Sequence, residues 1–149
     1  MKLSKNLSLR EVVKSNTAII LGIDNQPKLA HIESLHLIAK NVFQPVRDHF
    51  NVPIGITSGY RCKELNKAIG GSKKSQHCKG EALDLDADIY GRITNKQIFD
   101  FIKDNLEFDQ LINEFDYAWV HVSYSKNNNR RNVLEAKEVK GITNYTNVN

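Results

Sequence analysis

Ser75-Gln76-His77-Cys78-Lys79-Gly80-Glu81-Ala82-Leu83-Asp84-Leu85-Asp86 decides how this chain folds. It opens as a polar loop with a histidine and turns at Gly80. It then enters 82–86, where strict alternation spells a short strand with Leu83 and Leu85 on the buried face. Asp84 projects from the opposite face. A carboxylate fixed on a strand, with His77 upstream across a glycine turn, can close on one small cation, because imidazole nitrogen and carboxylate oxygen both sit about 2.0–2.2 Å from zinc. Taken alone, the pair equally describes a surface histidine and a solvated aspartate.

The other half comes from Ala118-Trp119-Val120-His121-Val122-Ser123-Tyr124. Val120 and Val122 share one face of this alternating stretch, and Trp119, His121 and Ser123 share the other. His77, Asp84 and His121 then make three protein ligands with one position left open, the arrangement that separates a catalytic zinc from a structural one.

Ser75-x-His77-x-x-Gly80-x-Ala82-x-Asp84, preceded by Ser58-Gly59-Tyr60-Arg61 and followed by Trp119-x-His121, resembles the zinc D-Ala-D-Ala carboxypeptidase and L-Ala-D-Glu endopeptidase family of cell-wall metallopeptidases. The similarity runs from Ser8-Leu9-Arg10-Glu11 through Leu65-Asn66 and Gly70-Gly71 to the His121 strand. It implies a hedgehog/DD-peptidase-like fold, one zinc per chain on His77, Asp84 and His121, and a peptidoglycan stem peptide as substrate. It also implies that Arg61 holds substrate, either by orienting a carboxylate or by stabilising an oxyanion through its planar fork of donors.

One departure concerns the general base. Several branches of the family carry an acidic residue three positions before the third zinc ligand, and here that place is Ala118. If Asp116-Tyr117 is a two-residue hairpin loop, Glu114 lies opposite Trp119 and diagonal to His121, and such diagonal neighbours, about 7–8 Å apart, can converge on a common water. Glu114 is therefore the candidate base and Asp116 the alternative. Ser75 is expected to contact substrate or to orient the His77 loop, and Trp119 to wall the cleft or to pack in the core. Asp86, on the Asp84 face, either supports a ligand imidazole or stands in solvent.

At 149 residues, one domain spanning 1–149 is expected, with 141–149 a polar tail. Hydrophobic residues at 40% and charged residues at 26% are ordinary for a soluble globular chain. The net charge of +4 would suit an anionic partner, but Lys73-Lys74 and Arg130-Arg131 are the only tight basic pairs outside helical faces and stacking aromatics are not interleaved with them. A nucleic-acid partner is not expected. Neither is membrane insertion, since no stretch approaches the roughly 20 apolar residues of a span. Cys62 and Cys78 are too few for a disulfide scaffold and are read as free thiols. A monomer is expected. With no signal peptide at the start of the sequence, the expectation is a phage-type endolysin, made in the cytoplasm and acting at the cell wall after release through a holin-like route. A catalytically silent zinc-containing wall-binding or signalling domain is the alternative that Ala118 keeps open.

The elements follow from caps and periodicity. Ser8 and Glu11 form a capping box for a first helix carrying Leu9, Val12, Val13, Ile19 and Ile20. A second helix spans 28–49 with an interruption at Pro45, and His31, His36 and His49 serve there as packing or surface residues. A strand over 52–61 delivers Arg61 to a cleft edge, and a short helix over 62–69 ends at Gly70-Gly71. Thr94 caps a helix striped by Ile98, Phe101, Ile102 and Leu106. Strands over 110–115 and 118–124 and a third over 132–139 form a meander. The class is α+β, a small antiparallel sheet with helices packed on one face.

Overall fold

The computed structural model describes residues 1–149. A short ribbon of β1 (Lys2–Ser4) and β2 (Leu7–Ser8) precedes the main sheet. That sheet comprises β3 (Gly55–Ser58), β4 (Ala82–Asp86), β5 (Gln110–Glu114), β6 (Trp119–Ser123), β7 (Asn132–Val139) and β8 (Ile142–Asn147), in the order β3-β4-β6-β5-β7-β8. The class is α+β, as expected.

Leu83 and Leu85 on β4, Val120 and Val122 on β6 and Leu111 on β5 are all fully buried. They pack in one core with Leu35, Ile38, Val42, Val46, Ile98 and Ile102 from the helices. Because side chains alternate along a strand, burying these leaves Asp84, His121 and Glu114 on the opposite face. Register does the rest: Asp84 pairs with His121 across β4 and β6, and Glu114 pairs with Trp119 across β5 and β6.

The helices are α1 (Leu9–Val13), α2 (Asn16–Leu21), α3 (Leu29–Ile38), α4 (Gln44–Phe50), α5 (Lys63–Ala68) and α6 (Asn95–Asn105). The first expected helix is two. Lys14 is extended, and the Ser15 hydroxyl accepts from the Ala18 N–H to start a new cap, which leaves Ile19 and Ile20 exposed. The second is continuous through Pro45, because Ala39–Phe43 widens into a π turn in which the Gln44 N–H reaches the Ala39 carbonyl. Extra width just before a residue that has no N–H absorbs the mismatch without breaking the buried stripe. His31 lies against Tyr60 and His49 stacks on Phe101, while His36 Nδ1 sits 3.1 Å from the Leu3 carbonyl. His31 is partly buried, whereas His36 and His49 are exposed surface residues.

Two expectations about the C-terminal part change. Residues 132–139 form a strand but not the third leg of a meander: β7 runs parallel to β5, with Leu111 beside Val133 and Ile112 beside Leu134. The reason is occupancy, since β6 already has β4 on one edge and β5 on the other, so the chain crosses to the free edge of β5. The stretch from Gly141 is polar and exposed as expected, yet it is ordered as β8. Lys140 and Gly141 both have positive φ (52° and 76°), the pair of left-handed residues that a two-residue hairpin turn needs.

Candidate metal centre

His77 sits in a single 3-10 turn (Gln76–Lys79) that ends at Gly80, whose φ of +73° is left-handed. Its ring is buried, and Nδ1 donates to the Gly59 carbonyl at 2.7 Å, which fixes the tautomer and aims Nε2 at the sheet. Gly59 is required because a Cβ there would meet the Val12 carbonyl at 2.5 Å. Nε2 of His77 lies 3.3 Å from Oδ1 of Asp84 and 3.3 Å from Nδ1 of His121, and those two atoms are 2.9 Å apart. A tetrahedral zinc with bonds of about 2.0–2.1 Å places its donors about 3.3–3.4 Å apart, so the triangle is the size of one coordination face.

Proton bookkeeping makes the same point. Burial lowers the His77 pKa, and its one N–H faces Gly59, so the Nε2 lone pair points at a carboxylate oxygen and at a second ring. Burial alone would raise the Asp84 carboxyl, but the adjacent His77 and His121 overcome this and hold it well below the usual carboxylate range. The Nε2 nitrogen of His77, the Asp84 carboxylate and Nδ1 of His121 thus converge as three donors that one cation fits.

The remaining site residues surround this triangle. Arg61 is tied by its backbone N–H to the His77 carbonyl at 3.2 Å, and its guanidinium reaches the Ser75 hydroxyl at 3.4 Å. Its Nε is buried without a partner. Ser75, Trp119 and Glu114 all line the cleft, and the Trp119 ring lies against Phe115 at 5.4 Å. Glu114 is 7% exposed, and burial, opposed in part by His121 and aided by the Asp84 charge, pushes its carboxyl up to about 7. Asp116 is exposed on the turn and does not line the cleft. The turn comprises four residues, 115–118, with Phe115, Asp116 and Tyr117 all left-handed; even so, the Glu114–Trp119 register expected from a two-residue loop is kept. Ala118 is exposed on this turn.

Asp86 supports no imidazole. Its carboxylate accepts from the Asp88 N–H and from Asn95, which also donates to the Tyr117 and Ala118 carbonyls and so fixes the hairpin turn. The orienting role falls to the Gly59 carbonyl, a backbone group that no residue type announces. Two side chains the sequence did not single out hold the site together. Asn25, buried, donates to the Val13 and Tyr60 carbonyls and accepts from the Cys62 N–H, clamping the segment that carries Arg61. Asp109, also buried, takes a forked pair of bonds from Arg130 at 2.7 and 2.8 Å and one from Gln76 at 3.0 Å, anchoring the turn next to His77. Both partners are distant in sequence, so spacing could not have revealed either. Cys62 and Cys78 are free thiols outside the triangle, and Cys62 Sγ caps α5 by accepting from the Leu65 N–H.

The triangle lies on a polar cleft of about 930 Å³. A smaller hollow shares Arg61 and Asp84 with it and is lined as well by Lys14 and Ile69. Three convergent donors, two from the sheet and one from the turn before it, facing an open cleft are what a metal-dependent peptidase requires. The family model described as Peptidase M15 matches residues 5–123, the span holding all three donors, and the chain belongs to the peptidase M15 family. Peptidases of this family are zinc-dependent. No curated protein matches the chain.

Proposed function

We propose that this chain is a zinc peptidase that hydrolyses a peptide bond in peptidoglycan stem peptides. The observation that carries it is the His77–Asp84–His121 triangle, with donor separations suited to one tetrahedral zinc, at the base of a cleft that also holds a buried carboxyl. When bound there, zinc supplies Lewis acidity toward an amide carbonyl and acidifies a water. Glu114 is the general base: its carboxylate takes the proton of the attacking water and returns it to the leaving amine. Arg61, which lines the cleft, binds a substrate oxyanion or carboxylate through its guanidinium. Ser75 steadies Arg61, and Trp119 walls the cleft. The exposed position of Asp116 argues against it as the base.

The smaller hollow, which shares Arg61 and Asp84 with the cleft, supports a substrate that extends to both sides of the scissile bond, and hence an internal cut of the L-Ala-D-Glu type over removal of a terminal D-alanine. The setting that suits this substrate is a lytic enzyme made in the cytoplasm and released to the wall, of the kind phages encode. The placement of Glu114 in the cleft that holds the metal triangle supports turnover over a silent wall-binding domain.

The test is mass spectrometry of fragments released from purified peptidoglycan by zinc-loaded protein. New amino and carboxyl termini within the stem peptide are expected, and His77→Ala and His121→Ala should lose both zinc and release. A zinc-loaded wild type that binds peptidoglycan of several chemotypes and releases nothing from any of them would establish the silent domain instead.

A further inference from the structure

We infer that Tyr145, on the C-terminal strand β8, contacts the bound peptide, its phenol hydroxyl donating a hydrogen bond to a substrate oxygen. This rests on the peptidase assignment above. The register places it there. Glu114 pairs with Trp119 on one side and with Ala136 on the other, and Ala136 pairs with Tyr145, so Trp119, Glu114, Ala136 and Tyr145 form one row across four strands. Residues in such a row point to the same face. The neighbouring row, Asp84, His121, Ile112 and Leu134, carries two of the metal ligands on that face.

Neighbouring strands lie about 4.8 Å apart, so two steps separate the Tyr145 backbone from that of Glu114 by about 10 Å. Ala136 between them is fully buried and contributes only a methyl group, which leaves the space above it for the long phenol to lean across. Tyr145 lines the same cleft as Glu114, Trp119 and His121. Burial together with the charges of Glu114 and Asp84 raises the Tyr145 pKa, which keeps the hydroxyl protonated and a donor. Strands β7 and β8 lie beyond the residues 5–123 that the family model matches. Trp119 and Tyr145 thus stand at opposite ends of a row with the proposed base between them.

The experiment compares zinc-loaded wild type, Tyr145→Phe and Tyr145→Ala in steady-state hydrolysis of a purified stem peptide, with zinc content and melting temperature measured for each. Equilibrium binding of the same peptide is measured in parallel on the Glu114→Gln background. Tyr145→Phe should raise KM about threefold to tenfold with kcat little changed, the worth of one hydrogen bond, and Tyr145→Ala should raise it further. Tyr145 is 57% exposed, so both variants should fold, and Tyr145→Phe keeps the ring should Tyr145→Ala loosen β8. Wild-type KM and affinity in both variants would overturn the inference while leaving the peptidase assignment standing. If wild type hydrolyses no stem peptide, the assignment falls, and the binding arm still decides Tyr145: affinity lost in Tyr145→Ala supports the contact, and affinity unchanged or absent throughout removes it.

Discussion

Glu114 is the residue whose chemistry is set most clearly by its surroundings. In the metal-free folded protein its carboxyl keeps a proton to about pH 7, whereas in the unfolded chain it releases it near 4.5. A folded pKa above the unfolded one means stability that is complete below about 4.5 and lost as pH rises through 7. Relative to Glu114→Gln, metal-free wild type should therefore lose on the order of 3 kcal/mol at most between those pH values and then level off. Urea unfolding of both proteins in chelator at several pH values measures this, and a pH-independent difference would mean an ordinary, solvated carboxyl. In the zinc-loaded enzyme the same substitution should leave metal content intact and lower turnover by roughly 10²–10⁴, the usual worth of a general base. Asp116→Asn, on an exposed turn, should cost far less in the same assay of released amino groups.

At the level of elements, the site depends on loops that are held rather than on strands alone. The Gly59 carbonyl orients His77 and has no room for a side chain against Val12. Gly59→Ala should therefore lower zinc affinity by about 10–100-fold, as loss of an orienting partner does, with a stability loss of about 1–3 kcal/mol from overpacking. Competition with a fluorescent chelator and thermal melts separate the two effects; unchanged zinc affinity would detach the carbonyl from the metal centre. The cysteines predict the opposite. Cys62 caps α5 through Sγ, a job a serine hydroxyl does as well or better, and neither thiol belongs to the triangle. The double variant Cys62→Ser with Cys78→Ser should keep its zinc and its melting temperature, and loss of metal would show a coordinating thiolate.

For the molecule as a whole, the metal is a link between distant parts of the chain. His77 comes from the turn before β4, Asp84 from β4 and His121 from β6, so the triangle exists only when the sheet has formed. A ligand that binds only the folded state stabilises it by about 4 kcal/mol when free zinc exceeds Kd a thousandfold. For a chain of this size that corresponds to a rise in Tm of about 8–16 °C, reversed by chelator. His77→Ala should show no zinc-dependent shift in scanning calorimetry. A shift of wild-type size in that variant would place the metal elsewhere.

The alternation at 82–86 and 118–124 by itself determined the two central strands and the face on which Asp84 and His121 stand. Alternation can do this because burying leucines and valines on one side leaves no freedom about the other. The spacing of caps likewise determined α6 and the start of α1. Tertiary structure alone decided what the local pattern could not hold. The pairing of Glu114 with Trp119 was legible as a hairpin, but its burial, and hence its raised pKa, depends on Ala136 and the strands beyond. The parallel β7 followed from which sheet edges were already taken. The Gly59 carbonyl, the Asn25 clamp and the Asp109 anchor act through groups brought close only by folding. Tyr145 shows the gap most plainly, because a polar, exposed stretch carries no burial signal, and only pairing with β7 brings it to the edge of the cleft.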